Sequence, residues 1–220
     1  MIREITQTTL LALITFLLII SSQNVNADAI YYGTNGKKIY LSPADHGGGN
    51  IGCDGYVEDH EAERLAIQAA VGSGEDLLQR GYTVRIGGGT MFDNIANSNA
   101  WGSDYHIPMH SNAQLTGMNC AAPYDLSYGA SGTYLMYKPG NTEGSGLSDE
   151  LVIRVGDASP GTGFDRKEAR GDLYELNNSN APAAYLEMAF HTFGADEDWL
   201  RMNNWTWRIG WAVDRYLGYP

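Results

Sequence analysis

The chain has 220 residues, of which 43% are hydrophobic and 18% are charged, and its formal net charge at pH 7 is -12. This length suits one domain with one sizeable hydrophobic core. A chain with this charge repels polyanions, which excludes nucleic acid as an expected partner.

The amino terminus has the layout of a secretory signal peptide. Arg3 precedes an apolar run from Leu10 to Ile20, and a small-x-small triplet that ends at Ala29 follows. We therefore expect a signal peptide over residues 1–29 and a secreted or wall-associated domain over residues 30–220, with no stable membrane insertion after cleavage. The alternative is an uncleaved anchor, which is disfavoured because about 20 apolar residues are needed to span a bilayer.

The first half of this domain predicts strands that alternate with helices. The expected elements are a strand at Lys38 to Ser42, a glycine-rich loop at Gly47 to Gly55, a helix from Glu58 toward Leu78, a strand at Tyr82 to Ile86, a short helix at Asn94 to Trp101 and a strand at Tyr105 to Met109. Pro108 lies in the last of these strands, where a proline would be unusual if the strand were central in a sheet.

The second half begins with a long polar segment, residues 111–132, which is typical of a functional loop. The elements expected after it are a strand at Thr133 to Tyr137, a helix capped by Ser148 that runs to Val155, a loop at Asp157 to Phe164, strands at Asp172 to Leu176 and Ala183 to Ala189, and a closing helix with an apolar stripe of Ile209, Ala212, Val213, Tyr216 and Leu217. This order predicts a single α/β domain with a mostly parallel, twisted sheet and helices on both faces.

Side chains suited to metal chemistry lie at the ends of the predicted strands. His46 follows the first strand, His110 follows the third, and Glu187 lies late in another. Ligands gather at the carboxyl ends of the strands in open α/β sheets, so we expect these side chains to meet. Two histidines and a carboxylate suit catalytic zinc, which commonly has three protein ligands and an open fourth position. Glu58 could supply the carboxylate ligand, with Glu61 as the alternative.

Simpler interpretations exist for each of these residues. A single histidine at a strand end is more often structural, and a glutamate at a helix start is more often a cap. The joint placement of four such side chains is what favours a metal site. The helical zinc motif fails at His60 and Glu61, because Arg64 stands where the second histidine is needed, so this pair is interpreted as a solvated helix face. His106 is interpreted as a buried structural residue.

The sequence lacks the motifs that are typical of other classes of hydrolase. It contains no Gly-x-Ser-x-Gly elbow and no phosphate-binding loop, and neither cysteine has a catalytic setting. Export would permit a disulfide between Cys53 and Cys120, but their spacing does not establish one. Four tryptophans near the carboxyl terminus, at 199, 205, 207 and 211, are interpreted as core and interface rather than as a platform for sugars.

Four motifs follow one another along the predicted domain. They are strand-Asp-His-Gly-Gly at Ile39 to Gly48, Gly-Tyr-Val-Glu at Gly55 to Glu58, strand-His-Ser-Asn-Ala at His106 to Ala113, and Pro-Ala-x-Tyr-Leu-Glu-x-x-Phe at Pro182 to Phe190. In this order they resemble the zinc-dependent N-acetylmuramoyl-L-alanine amidases of autolysins, sporulation and phage lysis. The resemblance implies a phosphorylase/hydrolase-like amidase fold and hydrolysis of the amide bond between N-acetylmuramic acid and L-alanine of bacterial peptidoglycan.

The resemblance also implies roles for individual residues. By matching position, His46, Glu58 and His110 would bind Zn²⁺ and Glu187 would be the catalytic carboxylate. Backbone N–H groups of residues 47–49 would help to stabilise the oxyanion. The turn before His46 departs from the usual Asp-Pro-Gly-His, and the loop after His110 is enlarged, which bears on substrate preference more than on metal binding. The alternatives are a zinc peptidase that acts within the stem peptide and an inactive wall-binding protein of the same fold.

Overall fold

The computed structural model describes residues 28–114, 117–121, 130–161, 163–202 and 204–219. The signal peptide expected over residues 1–29 lies outside these ranges apart from its last two residues, so it stays a prediction. Part of the long polar segment at 111–132 lies outside them as well. Within the ranges described, no helix has both the length and the apolar character that a membrane span requires.

Seven strands of the described ranges form one sheet. They are β1 (Ile30–Tyr31), β2 (Lys38–Pro43), β3 (Thr83–Ile86), β4 (Tyr105–Asn112), β5 (Tyr134–Tyr137), β6 (Arg166–Ala169) and β7 (Ala184–Phe190), in the spatial order β1-β3-β2-β4-β7-β5-β6. The pairs β2–β3, β2–β4, β4–β7 and β5–β6 are parallel. Only the pairs β1–β3 and β5–β7 among these described strands are antiparallel. The predicted α/β fold with a mostly parallel sheet is confirmed.

In the part of the chain that the structure describes, six α-helices accompany the sheet. They are α1 (Glu58–Ile67), α2 (Met91–Trp101), α3 (Thr142–Leu151), α4 (Tyr174–Asn178), α5 (Gly194–Arg201) and α6 (Trp207–Leu217). α1 and α3 each continue into a π-helical turn, at Gln68–Gly72 and Val152–Gly156, and a 3-10 turn at Cys53–Gly55 precedes α1.

Alternation along the central strands divides their side chains between two different environments. Ile39 and Leu41 of β2 belong to the main hydrophobic core, together with buried residues of α1, α3 and α6. Successive side chains in a strand point to opposite faces, so Tyr40 and Ser42 face the other side, where α2 and α4 lie. There Tyr40 contacts Asn94 of α2, and Ser42 bonds Glu175 of α4. One face is therefore apolar, and the opposite face carries polar groups.

Pro108 lies in the centre of the sheet after all. β4 pairs with β2 from Tyr105 to Met109, with Pro108 opposite Ser42. On the β7 side, however, pairing is broken between an isolated bridge at His106 and the ladder that begins at Met109. Pro108 lies in that gap, because a proline has no N–H to donate to a neighbouring strand.

Two predicted elements are wrong. Residues 172–176 are not a strand, since Tyr174–Asn178 form the short helix α4. Ser148 is not a helix cap: α3 begins at Thr142, and the side chain of Asn141 accepts the N–H of Gly144 at 2.9 Å. Gly144 weakens the helical pattern of the sequence in the first turn of α3. A Cβ at this position would lie 2.5 Å from the carbonyl oxygen of Ala183. The close packing of α3 on the sheet therefore requires this glycine.

Other elements were missing from the prediction. β1, β6 and α5 had no assignment, and α2 begins three residues earlier than expected. The start of α2 is fixed by a capping box, in which Thr90 and Asp93 each bond the other's backbone N–H.

The four tryptophans near the carboxyl terminus form two stacked pairs. Trp199 and Trp205 are buried in the core with ring centroids 4.1 Å apart, as the core interpretation predicts. Trp207 and Trp211 stack at 5.6 Å on α6 and are half-buried, and the guanidinium of Arg154 lies over Trp211.

Cys53 and Cys120 form a disulfide bond, which the sequence left open. The bond joins the turn before α1 to the segment at residues 117–121, across a sequence separation of 67 residues. Closing a loop of that length in the unfolded chain stabilises the fold by about 4 kcal/mol in the chain-entropy account.

Asp196 of α5 gives a prediction for the dependence of stability on pH. Its carboxylate is fully buried, Oδ2 accepts the N–H groups of Gly132 and Phe190, and burial raises its pKa to about 6. An acid whose pKa is raised on folding stabilises the protein in its protonated form, and that contribution is lost as the pH rises through the folded pKa. Relative to Asp196→Asn, the wild type should lose stability between about pH 4 and pH 7 by about 1.4 kcal/mol per unit of pKa difference.

The measurement is urea unfolding of both proteins at several pH values across this interval. The variant is neutral at every pH, so the difference between the two curves isolates this carboxyl group. Parallel curves for the two proteins would contradict the assignment.

Candidate metal site and its cleft

The residues expected to bind a metal meet at one edge of the sheet. His46 lies in the loop that follows β2, His110 lies near the end of β4, and Glu187 of β7 is the strand partner of His110. Glu58 is the first residue of α1. Parallel strands end at the same edge, so residues more than 60 positions apart in the sequence become neighbours.

Three of these side chains converge on one point. His46 Nε2 lies 3.3 Å from Glu58 Oε2, and His110 Nδ1 lies 3.1 Å from Glu58 Oε1. One ligand atom from each residue lies within 4.8 Å of the other two, so one metal ion could contact all three. Glu61, the alternative ligand, is outside this group and pairs with Arg64 at 2.6 Å instead.

Glu58 is the centre of this arrangement. Its side chain is 1% exposed, and besides the two histidines it accepts the N–H of Ser111 at 3.0 Å and a side-chain N–H of Asn50 at 2.7 Å. Burial alone would raise the pKa of the Glu58 carboxyl, but the hydrogen bonds to His110 and His46 outweigh it and hold that pKa well below the usual range. The carboxylate is therefore ionised and fixed in place, which the simpler role of a helix cap would not require.

The two histidines respond to the same carboxylate. The hydrogen bond to Glu58 raises the pKa of His46. Burial works against the charged form of His110, but Glu58 again raises its pKa overall. A positive charge is thus stabilised between these three residues, and two imidazole nitrogens with a carboxylate are also a donor set that suits a divalent metal ion.

A neighbouring aspartate holds the loop that carries His46. The backbone N–H of His46 donates to Asp59 Oδ1 at 2.9 Å, and that of Gly48 donates to Asp59 Oδ2 at 2.7 Å. His46 is the most exposed of the three candidate ligands, and Gly47 and Gly48 have the positive φ angles that a tight turn needs. Sequence reasoning missed Asp59, although its position directly after Glu58 was visible.

Glu187 lacks the partners that its neighbours have. Its Oε2 atom is inaccessible to solvent and forms no hydrogen bond with any residue that the structure describes. Burial raises the pKa of its carboxyl to about 7, while His110 acts in the opposite direction. A carboxyl group with this pKa can both accept and release a proton near neutral pH.

A cleft of about 560 Å³ opens beside these residues. Its lining includes both histidines, Ser42, Glu175 and Tyr185, and the exposed side chain of Phe92 forms part of its rim. The ring of Phe92 packs in turn on that of Tyr174, outside the lining, with centroids 5.1 Å apart.

A buried polar network supports the wall of the cleft. Glu175 Oε1 accepts hydrogen bonds from Ser42 Oγ at 2.6 Å and lies 2.8 Å from His106 Nε2, and the other ring nitrogen of His106 lies 2.9 Å from Ser98 Oγ. His106 is fully buried, as the structural interpretation predicts, and it is outside the candidate ligand group. The network was not visible in the sequence, because Glu175 belongs to the segment that was wrongly assigned as a strand.

A further histidine supports the backbone beside Glu58. His191 is buried, stacks on Tyr56, and its Nδ1 lies 2.9 Å from Ser111 Oγ. Burial lowers the pKa of His191, which keeps it neutral. Ser111 in turn donates its N–H to Glu58, so His191 acts on the candidate site through Ser111.

Solved structures share this fold. No model of a known protein family and no curated protein matches the sequence. The N-acetylmuramoyl-L-alanine amidase from Clostridium difficile 630 is 18% identical with a TM-score of 0.63, over 84% of this chain and 96% of that one. The catalytic domain of CwlV, an N-acetylmuramoyl-L-alanine amidase from Bacillus (Paenibacillus) polymyxa, is 14% identical with a TM-score of 0.63, over 84% and 99%.

A third similar structure is the N-acetylmuramoyl-L-alanine amidase AmiC2 of Nostoc punctiforme, which is 16% identical with a TM-score of 0.61, over 84% of this chain and 97% of that one. At such identities the likeness establishes the fold. The chain therefore has the fold of N-acetylmuramoyl-L-alanine amidase catalytic domains, as the sequence motifs implied.

Substitutions of the acidic residues of α1 should change the affinity for Zn²⁺ to different extents. We predict that Glu58→Gln weakens Zn²⁺ binding by more than the roughly 10- to 100-fold that loss of an outer partner usually costs, and that Asp59→Asn weakens it by an amount within that range. The first variant removes a ligand charge, while the second removes one of the two acceptors that hold the His46 loop. Competition with a chromophoric chelator measures each dissociation constant.

Glu61→Gln and Glu63→Gln are the matched controls. Each removes one negative charge from the same helix, and neither side chain belongs to the candidate ligand group. Both should bind Zn²⁺ like the wild type. Equal affinities for Glu58→Gln and Glu61→Gln would contradict the ligand set, and equal affinities for Asp59→Asn and Glu63→Gln would contradict the role of Asp59.

Proposed function

We propose that this protein is a secreted, zinc-dependent N-acetylmuramoyl-L-alanine amidase that hydrolyses the bond between N-acetylmuramic acid and L-alanine in peptidoglycan. The observation that carries the proposal is the convergence of His46, Glu58 and His110 within 4.8 Å, with the carboxyl group of Glu187 in electrostatic reach of all three. The likeness to amidase folds and the four sequence motifs support it. Secretion rests on the signal-peptide layout of residues 1–29.

The donor set fits zinc. Catalytic zinc sites commonly use three nitrogen or oxygen ligands and keep a fourth position open. Oε2 of Glu187 is buried without a hydrogen bond among the described residues, and an ionised group in that state is costly unless a cation or a bound molecule compensates it. Zinc held by these three residues would polarise the scissile carbonyl and lower the pKa of the attacking water.

Glu187 has the chemistry of the general base. It would accept a proton from the attacking water as the new C–O bond forms at the amide carbon. It would then return that proton to the alanine nitrogen as the C–N bond breaks, because an amine leaves readily only when it is protonated. The products are the free lactyl carboxylate of muramic acid and a peptide that begins with the alanine amine.

The expected products define the first test. On a muropeptide of defined sequence, the protein should release a peptide with a free alanine amino group and leave intact lactyl-muramic acid. A chelator should stop the reaction and added Zn²⁺ should restore it, which mass spectrometry of the products can follow.

New termini inside the stem peptide would overturn the amidase proposal in favour of a peptidase. Binding of the muropeptide without hydrolysis by the zinc-loaded protein would overturn it in favour of a wall-binding protein.

Replacement of the base gives the second test. Glu187→Gln keeps the shape of the side chain but cannot take up a proton, so kcat should fall by about 10²- to 10⁴-fold while zinc content stays that of the wild type. Steady-state kinetics and metal analysis of the same preparation measure the two effects. Glu63→Gln is the control, and a Glu187→Gln protein with unchanged kcat would eliminate this base.

A further inference from the structure

Tyr185 occupies a position that the proposed reaction has not yet used. It lies on β7 two residues before Glu187, so both side chains point to the same face of the sheet. Its ring stacks on the imidazole of His110, with centroids 4.6 Å apart and planes inclined by 20°. It is half-buried and lines the cleft. The phenol ring therefore packs on one of the candidate metal ligands, on the same face of the sheet as the proposed general base.

The hydroxyl of Tyr185 forms no hydrogen bond with any residue that the structure describes, and it is not sealed from solvent. A tyrosine hydroxyl in a largely buried position usually finds one, as Tyr82 does with Asp214 at 2.7 Å. Burial raises the pKa of the Tyr185 phenol further above its ordinary value, so the hydroxyl keeps its proton at neutral pH. Tyr185 thus presents an O–H donor to the cleft.

Amide hydrolysis is accelerated by a hydrogen-bond donor that faces the oxygen of the scissile carbonyl. The carbonyl oxygen gains negative charge as water adds to the amide carbon, and hydrogen-bond donors aimed at that oxygen are a large source of rate enhancement. The backbone N–H groups expected to help are mostly occupied: that of Gly47 donates to Asp45, and that of Gly48 donates to Asp59.

The other donors of the cleft wall are committed as well. Ser42 donates its hydroxyl to Glu175, and Thr90 donates its hydroxyl to Asp93. The two histidines bond Glu58, and no lysine or arginine is among the described residues that line the cleft. Of the side chains in this lining that are not candidate metal ligands, Tyr185 is the hydrogen-bond donor that remains available.

We propose that Tyr185 is a further catalytic residue, whose hydroxyl donates a hydrogen bond to the oxygen of the scissile carbonyl as negative charge develops there. The inference rests on the proposed amidase function. It adds a second stabilising contact for that oxygen, and it explains why an aromatic residue that packs on a ligand histidine is a tyrosine.

Tyr185→Phe tests the proposal, because it removes the oxygen and keeps the ring on His110. With a defined muropeptide, kcat should fall by about 10²- to 10³-fold, as for loss of one oxyanion donor, while KM changes little. The dissociation constant for Zn²⁺ should equal that of the wild type. The affinity for a phosphinate analogue, in which a tetrahedral phosphorus replaces the scissile carbonyl, should fall in proportion to kcat.

Tyr174→Phe is the matched control, since it removes a hydroxyl beside the cleft rim from a ring that packs on Phe92 and not on His110. It should keep wild-type kcat and analogue affinity. Unchanged kcat in Tyr185→Phe would overturn the proposal. Weakened Zn²⁺ binding with kcat restored by excess Zn²⁺ would also overturn it, because the residue would then only support His110. Failure of the wild type to hydrolyse the substrate would instead refute the proposed function.

Discussion

The candidate site depends on one buried carboxylate. Glu58 is almost completely removed from solvent, and a charge in that position is stable only when it is fully paired. The pairing comes from His46 and Asn50 in the loop after β2 and from His110 and Ser111 on β4. The need to compensate this single charge therefore fixes how the loop after β2, the end of β4 and the start of α1 lie relative to one another.

The apolar core on the other face of the sheet offsets the free-energy cost of this polar arrangement. On one face of the sheet, α1, α3 and α6 enclose a continuous apolar core that includes Ile39, Leu41 and Leu186. On the opposite face the same strands present His110, Glu187 and polar partners such as Ser42, which α2 and α4 cover only in part. Because stability comes mainly from the apolar face, the polar face can hold poorly satisfied groups, and such groups are typical of functional sites.

The most exposed candidate ligand has its own supports. His46 lies in a glycine-rich loop, where little packing restrains it, and the bidentate contact from Asp59 restrains its backbone instead. The disulfide between Cys53 and Cys120 fixes the chain between that loop and Glu58. Tyr185 restrains the imidazole of His110 by stacking on its ring. Each ligand is thus held by a residue that does not itself belong to the ligand group, which is the usual condition for a precise metal site.

The sequence by itself determined the α/β order, five of the strands to within a few residues, and the placement of His46, Glu58, His110 and Glu187 near strand and helix ends. These features are local: alternation, helical periodicity and turn residues are written within short windows of the chain. Only the tertiary structure decided that residues 172–176 lead into the helix α4 rather than form a strand, because Glu175 there bonds Ser42 and His106, more than 60 positions away. The same holds for the Asp59 contact, the disulfide and the stacking of Tyr185, since contacts between distant segments leave no periodic signal in one sequence.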